Sequence, residues 1–282
     1  MLSYRHAFHA GNHADVLKHV VLVQILRHLA RKDTPFWVID THAGAGLYAL
    51  NSEPAVRLAE YREGIGRLWQ MQKRPAAVAE YVAEVRAANP DGRLRVYPGS
   101  PWLAWRALRA KDRLRLFELH GTDSALLVSH LREAGRQVSI TASDGFSGMQ
   151  ALLPPPPRRG LVLIDPAYER REEYGRVVQT LREGLKRFAT GIYAIWYPRL
   201  ARVESQRLPQ RLKAAAGGRP WLHASLTVCA PREDGFGLSG SGMFVVNPPW
   251  TLRAPLAEAL PWLAKVLGQD ATATYGLEET SS

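Results

Sequence analysis

Two short stretches of the sequence combine residue types that could position an amino group for chemistry. LVLIDPAY covers residues 161–168, and MFVVNPPW covers residues 243–250. In each stretch an apolar run ends in Asp165 or Asn247, a proline follows, and an aromatic residue stands three positions after the acid or amide. The side-chain oxygen and the proline carbonyl can each accept one N–H of an exocyclic amine, while the ring stacks on the base that carries it. Taken alone, D-P-x-Y is also typical of a type I turn with proline at its second position.

The elements that must position these stretches alternate between strand and helix. Helical periodicity is clearest at 14–31, 124–135, 172–189 and 200–216. Apolar runs predict seven strands, at 35–40, 114–119, 137–142, 161–165, 191–197, 222–230 and 243–247. This alternation predicts an α/β fold, with a mostly parallel sheet covered by helices on both faces. Segment 231–242 joins the last two strands without a helical pattern, so the seventh strand is predicted to be antiparallel.

Strand direction then distinguishes the two stretches. Asp165 follows a parallel strand, whose carboxyl end lies at the edge where open α/β sheets bind ligands. Asn247 follows the antiparallel strand, so it faces the opposite edge. We therefore predict that DPAY holds the reactive amine and that NPPW is a structural turn with a packed Trp250. A base would have to be flipped out of a helix, or be single-stranded, to reach Asp165.

Residues suited to a nucleoside follow three other predicted strands. Gly44 and Gly46 come just after the first strand, where small residues let a ligand approach the backbone. Glu118 ends the second strand, where an acid can accept hydrogen bonds from two ribose hydroxyls, and the Asp144–Gly145 pair follows the third. The interval from Glu118 to Asp144 and the interval from Asp144 to Asp165 are each long enough for one strand–helix unit. These acids should therefore share one sheet edge with Asp165. The set predicts a nucleoside-bearing cofactor beside an amine-holding loop.

Composition sets broad limits on the partners of the chain. Lys and Arg number 37 against 26 Asp and Glu, and the resulting charge of +11 favours a polyanionic partner, although a merely soluble basic protein shows the same excess. No apolar run reaches the roughly 18 residues of a membrane span, and the N-terminus lacks a signal-peptide pattern. The single cysteine, Cys229, fits a reducing cytoplasm and is predicted to be buried.

The N-terminal region carries a cluster of histidines, His6, His9, His13 and His19. Their spacing does not complete a metal-ligand set with cysteine or acid, so a basic, aromatic strap over RNA is favoured over a metal site. Further along, residues 48–98 are mostly polar and helical in pattern, and they are predicted to form an inserted helical subdomain. The main domain then comprises 1–47 and 99–267, and the tail 268–282 is predicted to be mobile.

The order of the motifs resembles a known enzyme class. DTHAGAG (40–46), FELH (117–120), SDGF (143–146) and DPAYE (165–169) are similar to the strand-end motifs of class I S-adenosylmethionine methyltransferases that act on amino groups. Two further stretches narrow the match from this class to one family: LSYRHAFHAGNHADVLKH (2–19) and GSGMFVVNPPW (240–250). Over essentially its whole length the chain resembles the 23S ribosomal RNA adenine-N6 methyltransferase J family. That resemblance implies a Rossmann-like fold and methylation of adenine 2030 of large-subunit RNA.

The resemblance also implies residue roles, with Asp165 as the catalytic acceptor. The residues implied to hold S-adenosylmethionine are Lys18, His19, His42, Ser100, Glu118, Asp144, Gly145 and Asp165. Those expected to face the substrate base are Tyr4, His6, Pro166 and Tyr168.

One position departs from the pattern of the family. The family and its wider class usually show D-P-P-Y, whereas Ala167 stands at the third position here. This difference puts the rate of methyl transfer and the affinity for the substrate in doubt. Two other functions stay open: methylation of DNA adenine, and a non-catalytic RNA-binding or ribosome-assembly role. We expect a monomer that acts on 23S RNA in the cytoplasm, without metal or membrane.

Overall fold

The computed structural model describes residues 5–231 and 237–280. Within these residues helices and strands alternate along the chain. The helices are α1 (His13–Ala30), α2 (Glu53–Leu58), α3 (Ile65–Trp69), α4 (Ala76–Ala87), α5 (Ser100–Ala107), α6 (Gly121–His130), α7 (Gly145–Ala151), α8 (Arg171–Arg187), α9 (Val203–Ala216) and α10 (Arg253–Leu267). The strands are β1 (Trp37–Asp40), β2 (Leu47–Ala49), β3 (Val96–Pro98), β4 (Arg113–Phe117), β5 (Val138–Thr141), β6 (Gly160–Ile164), β7 (Ile192–Arg199), β8 (Trp221–Thr227), β9 (Gly240–Val246) and β10 (Thr274–Glu279).

The main sheet confirms the predicted Rossmann-like α/β arrangement. Its strand order among the described residues is β10-β8-β9-β7-β6-β1-β4-β5, and β7, β6, β1, β4 and β5 run parallel. Strand β9, the seventh predicted strand, is antiparallel to both β7 and β8, as expected from the loop that precedes it. The chain order reverses between β1 and β6, and such a switch point leaves a crevice at the carboxyl ends of the strands.

The sheet differs from expectation at its outer edge. The sequence predicted seven strands and a mobile tail over 268–282, but Thr274–Glu279 forms an eighth strand, β10, paired antiparallel with β8. Most side chains of β10 are exposed, so the strand shows little apolar alternation in the sequence. Its position depends on backbone hydrogen bonds to β8, which local patterning does not reveal.

Helix α1 is the buried element that connects the two edges of the sheet. Asn12 caps its N-terminus by accepting hydrogen bonds from the amides of Ala14 and Asp15, and most of its residues are buried. The helix packs on β9, α4 and α5. It begins beside the carboxyl edge of the parallel strands and ends near the start of β1, so residues at its two ends serve opposite sides of the molecule.

Residues 48–98 contain α2, α3, α4 and the short antiparallel pair of β2 and β3. Their buried side chains, such as Val78 and Tyr81, belong to the same hydrophobic cluster as Leu22 of α1. Whether this insertion folds as a subdomain stays a prediction. None of the helices in the described residues combines the length and apolar character that a membrane span requires.

Candidate active site

A cavity of about 570 Å³ opens at the carboxyl edge of the parallel strands. It lies at the switch point, since Asp40 at the end of β1 is paired with Leu163 of β6, and Asp165 follows β6 directly. The ends of β4 and β5 contribute Glu118 and Asp144 to its lining. The acids predicted to share one edge therefore surround a single cavity, whose volume falls in the range of small-molecule sites.

Asp165 forms a close ion pair at the base of this cavity. Its Oδ2 lies 2.6 Å from Nζ of Lys18, and the side chains of both residues are nearly buried. Burial raises the pKa of Asp165, although the charge of Lys18 opposes the change. The indole of Trp196 also lines the cavity, with Lys18 Nζ 5.8 Å from its ring centre. A carboxylate has about four acceptor positions, so Asp165 can accept an N–H from a ligand while Lys18 stays bound.

Asp15 connects Lys18 to the N-terminal segment. Its Oδ1 lies 2.9 Å from Lys18 Nζ, while its Oδ2 accepts the amide of Gly11 at 2.8 Å and lies 2.9 Å from His6 Nε2. Although burial opposes ionisation, His6 and Lys18 hold the pKa of Asp15 well below its usual range. Burial likewise disfavours a charged Lys18, but Asp15 and Asp165 raise the pKa of its ammonium. One chain of close polar contacts thus runs from His6 through Asp15 and Lys18 to Asp165.

Asp40 holds the loop that follows β1. Ser100 donates its hydroxyl to Asp40 Oδ2 at 2.6 Å, and the amide of His42 donates to Oδ1 at 3.2 Å. Burial raises the pKa of Asp40 to about 6. His42 packs its ring edge-on against Phe146 at 4.7 Å, and burial lowers the pKa of this histidine to about 4. Ser100 and His42 both line the cavity.

Glu118 is fixed by two backbone amides. Its Oε2 accepts from Gly44 and its Oε1 from His120, each at 2.7 Å. Burial raises the pKa of Glu118 against the effect of these amides. Two of its acceptor positions stay available, which is the number that a ribose diol requires. Next to it, Leu119 lines the cavity with 57% of its surface exposed, an apolar surface suited to a flat base.

The start of α7 forms the opposite wall of this part of the cavity. A Cβ on Gly145 would lie 1.9 Å from the carbonyl oxygen of Thr41, so only glycine allows α7 to approach the loop after β1. Asp144 Oδ2 accepts from Ser147 and from Arg176, each at 2.7 Å. These bonds lower the pKa of Asp144 although burial would raise it. The cavity residues therefore fit a cofactor with a base, a ribose and a charged end.

Two predicted site residues lie outside the cavity lining. His19 is fully buried, and its Nδ1 lies 2.6 Å from the hydroxyl of Tyr97. Tyr168 is only 2% exposed, because its backbone takes a φ of +54° and its hydroxyl donates to the carbonyl of Trp196 at 2.7 Å. Instead of facing a base, the Tyr168 ring packs on Tyr174 and fixes the turn after Asp165.

Nine of the other predicted site residues line the cavity. Those that line the cavity are His6, Lys18, His42, Ser100, Glu118, Asp144, Gly145, Asp165 and Pro166. Tyr4 lies outside the described residues. Of the other N-terminal histidines, His9 Nδ1 lies 3.0 Å from Oε2 of Glu60 in the insertion. Within the described ranges, no group of three or more His, Cys, Asp or Glu is arranged to hold a metal ion.

The NPPW stretch has the predicted position but not the predicted packing. Asn247 has a φ of +52° and donates its side-chain amide to the carbonyls of Ala189 and Gly191, at 2.9 and 2.7 Å. These contacts agree with a structural turn at the edge opposite the cavity. The expectation of a packed Trp250 was wrong, since 82% of its surface is exposed. The short turn that begins α10 presents the ring to solvent instead of folding it onto the sheet.

Sequence reasoning missed several residues of the site, among them Asp40, Asp15 and Trp196. Asp40 follows the same rule as Glu118 and Asp165, an acid at the end of a parallel strand, and could have been found by it. Asp15 stands three residues before Lys18 in a strongly apolar helix, and this pattern signals a buried charge pair. Trp196 lies inside β7, where nothing in the local pattern distinguishes a cavity residue from a core residue.

Comparison with known proteins shows which family the chain belongs to. A family model described as "Ribosomal RNA large subunit methyltransferase D, RlmJ" matches residues 33–278. The chain belongs to this family. Among RlmJ relatives it is 50% identical over 263 residues to ribosomal RNA large subunit methyltransferase J of Escherichia coli K12, covering 93% of each chain. It is 46% identical over 279 residues to the protein of that name from Haemophilus influenzae, covering 99% of this chain and 98% of that one.

The fold agrees with that assignment. The crystal structure of protein LPL1258 from Legionella pneumophila superposes with a TM-score of 0.89 at 34% identity, covering 97% of this chain and 99% of that one. At 97% of this chain, the structural match extends over the insertion and β10 as well as the parallel strands.

Proposed function

We propose that this chain transfers a methyl group from S-adenosylmethionine to the N6 amino group of an adenine in 23S ribosomal RNA, at adenine 2030. The observation that carries the proposal is the nearly buried Asp165 at the end of β6, in a cavity shared with Glu118 and Asp144. The names of the two bacterial relatives support ribosomal RNA of the large subunit as the substrate.

S-adenosylmethionine supplies an electrophilic methyl group when it is bound. Glu118 would accept hydrogen bonds from its ribose hydroxyls, because two acceptor positions of this carboxylate are not used by Gly44 and His120. Leu119 and Phe146 offer apolar surface for its base. Lys18, which pairs with Asp165, lines the cavity together with His42 and Ser100, and these residues would contact the amino-acid end.

Asp165 would orient the substrate amine. Its carboxylate accepts one N–H, and the carbonyl of Pro166, which also lines the cavity, accepts the other. Two acceptors turn the nitrogen lone pair out of conjugation with the ring and toward the donor. As the nitrogen takes the methyl carbon, the methyl–sulfur bond would break and the rest of the cofactor would leave as a neutral thioether. The nitrogen would then be positively charged, and its acidic proton could pass to Asp165. Lys18 keeps Asp165 ionised before that step.

The aromatic contact for the base is assigned to Trp196. Its ring lines the cavity beside Asp165, whereas Tyr168 is buried beneath it. Arg170 and Arg176 also line the cavity, and their guanidinium groups would suit the phosphates that flank a flipped nucleotide, with Arg176 already paired with Asp144. The positive charge of the chain supports a nucleic-acid substrate, and the family supports RNA over DNA.

Substitution of Asp165 tests the proposal. We expect Asp165→Asn and Asp165→Ala to abolish methyl transfer to 23S RNA from cells that lack the protein, with the circular dichroism spectrum unchanged. Asp91→Ala, which removes an acid paired with Arg95 in the insertion, serves as the control and should act at the wild-type rate. Near-native transfer by the Asp165 variants would refute the role of this residue. Mass mapping of the product locates the modified nucleotide, and a DNA oligonucleotide competes for the label if DNA is the substrate.

A further inference from the structure

An exposed aromatic residue stands at the edge of the sheet opposite the proposed active site. Trp250 follows β9, and its ring is in contact with the last turn of α1 and the residue after it. The guanidinium of Arg31 lies 5.4 Å from the indole centre, and His28 meets the ring edge-on at 6.4 Å. His28 Nδ1 also lies 2.9 Å from the hydroxyl of Thr251. The indole is therefore held in place by these contacts while most of its surface faces solvent.

The loop around this ring is positively charged. Arg31 and Lys32 are exposed, and neither forms an ion pair within the part of the chain that the structure describes. Asp33 is the only acid in segment 31–36. Burial, followed by the charges of Arg159, Arg31 and Lys32, lowers the pKa of the neighbouring His28. With two cations and one acid, segment 31–36 beside Trp250 keeps a net positive charge.

Two further arginines make this loop rigid. Arg109 donates to the carbonyls of Ala30, Lys32 and Thr34, and Arg159 donates to those of Leu29 and Thr34. They satisfy carbonyl groups that the end of α1 leaves without helical partners. Capping accounts for Arg109 and Arg159, but it does not account for the exposed Trp250, Arg31 and Lys32. Those three residues are called the distal patch below.

We propose that the distal patch is a second RNA contact, in which the indole stacks on an unpaired base and the two cations bind phosphates. This inference rests on the proposed RNA substrate. An exposed ring beside unpaired cations is the arrangement that single-stranded nucleic acid requires, because every base has a face to stack and every nucleotide a phosphate. A protein partner would gain apolar area from the ring but would have to desolvate both cations, so RNA is the favoured occupant.

The position of the patch gives an approximate length for RNA that reaches it. Asp15, beside the cavity, and Arg31 are separated by 16 residues of α1. At about 1.5 Å per residue this is about 24 Å along the helix axis. With stacked nucleotides about 3.4 Å apart, roughly seven nucleotides separate the methylated adenine from the base on Trp250. Short RNA centred on the target adenine therefore cannot contact both sites.

A length series of RNA tests the inference. Fluorescence anisotropy would measure binding of labelled 23S fragments of about 5, 10 and 20 nucleotides centred on the target adenine, by wild type and by Trp250→Ala. We expect wild-type affinity to rise once the RNA passes the reach of the patch. Because one stacked base is lost, Trp250→Ala should bind the longest RNA at least about fivefold more weakly than wild type does. Its affinity for the shortest RNA should be unchanged. Trp250→Phe should retain most of the affinity.

The matched control is Tyr275→Ala, which removes another exposed aromatic residue, 46% exposed, on the edge strand β10. It should bind RNA of every length as wild type does. Arg31→Ala should reduce the slope of log affinity against log salt by about 0.7 for each phosphate that the variant no longer neutralises. Calorimetry with S-adenosylmethionine should give wild-type affinity for all variants, since the cavity is not altered.

The outcomes separate the two proposals. The distal patch is refuted if Trp250→Ala binds every RNA as tightly as wild type, or if it weakens all lengths equally. It is also refuted if wild-type affinity does not rise with length. Wild type that binds long RNA through Trp250 but methylates none of it would leave the patch supported and overturn the proposed methyl transfer.

Discussion

Replacing Lys18 with methionine tests how the proposed active site keeps its acceptor ionised. Lys18 is 5% exposed and its ammonium bridges Asp15 and Asp165 at 2.9 and 2.6 Å. Methionine keeps a long, unbranched apolar side chain, one heavy atom shorter, and removes the charge and the hydrogen-bond donors. The variant therefore leaves Asp165 in a buried position without its cation.

The magnitude follows from the geometry of the pair. A unit charge about 4 Å away contributes about 4 kcal/mol at an effective dielectric constant of about 20. Because about 1.4 kcal/mol is tenfold in an equilibrium, the loss shifts the ionisation of Asp165 roughly a thousandfold toward the neutral acid. Burial already raises the pKa of Asp165, and removal of Lys18 raises it further. We expect methyl transfer to fall at neutral pH and to recover as the pH rises through the new pKa.

The assay is the single-turnover rate of methyl transfer to 23S RNA from pH 6 to pH 9.5, in the presence of saturating S-adenosylmethionine. The ascending limb of the profile should move to higher pH in Lys18→Met, while Lys18→Arg, which keeps a cation, should retain the wild-type profile. Lys213→Met is the control, because it breaks an ion pair of similar length, with Glu278, at a more exposed position outside the cavity. A Lys18→Met profile that parallels wild type with a uniform loss of rate would refute the electrostatic role. Loss of fold is monitored by thermal unfolding, since unpairing a buried charge costs about 3–5 kcal/mol.

The structure supports two further predictions about backbone positions. Gly145→Ala should lower the free energy of unfolding by about 2 kcal/mol or more, because the new Cβ meets the carbonyl oxygen of Thr41. The same clash should weaken S-adenosylmethionine binding. Urea unfolding and calorimetry measure the two effects, and Gly121→Ala, with open space around the new Cβ, is the control. Asn247→Ala should cost about 2–3 kcal/mol, from two lost hydrogen bonds and a left-handed alanine, without changing the rate of methyl transfer. A catalytic defect in a stably folded Asn247→Ala protein would contradict its assignment as a structural turn.

Much of the fold could be predicted because strand and helix periods differ and parallel strands need helical crossovers. The seven predicted strands all exist, and the antiparallel direction of β9 followed from a connection too irregular to be a crossover helix. Helix α10 was missed because Pro261 interrupts its pattern, and α5 and α7 span eight residues or fewer. These elements depend on packing partners more than on their own periodicity.

The site was predictable where a rule about sheet edges applies. Glu118, Asp144 and Asp165 lie around one cavity because parallel strands end at one edge. Side-chain pairing between distant segments was not predictable in the same way. The Lys18–Asp165 contact joins residues 147 positions apart, and no local pattern specifies that a buried lysine of α1 faces the end of β6. The burial of Tyr168 was not predictable either. The D-P-A-Y motif does not indicate the left-handed backbone turn that directs the Tyr168 ring into the core.

The two stretches with a shared local pattern thus have different roles because their strands run in opposite directions. After β6, the turn places Asp165 beside Lys18, near the start of α1. After β9, the turn uses Asn247 to bind backbone carbonyls and places Trp250 beside Arg31, just past the end of α1. Helix α1 therefore supplies a buried cation to one edge, and the residues that follow it supply exposed cations to the other. A buried lysine can tune the ionisation of a carboxylate, whereas exposed cations beside an exposed ring have chemistry only for a ligand from outside the chain. If RNA is that ligand, α1 sets the distance between the base that reacts and the strand that is held.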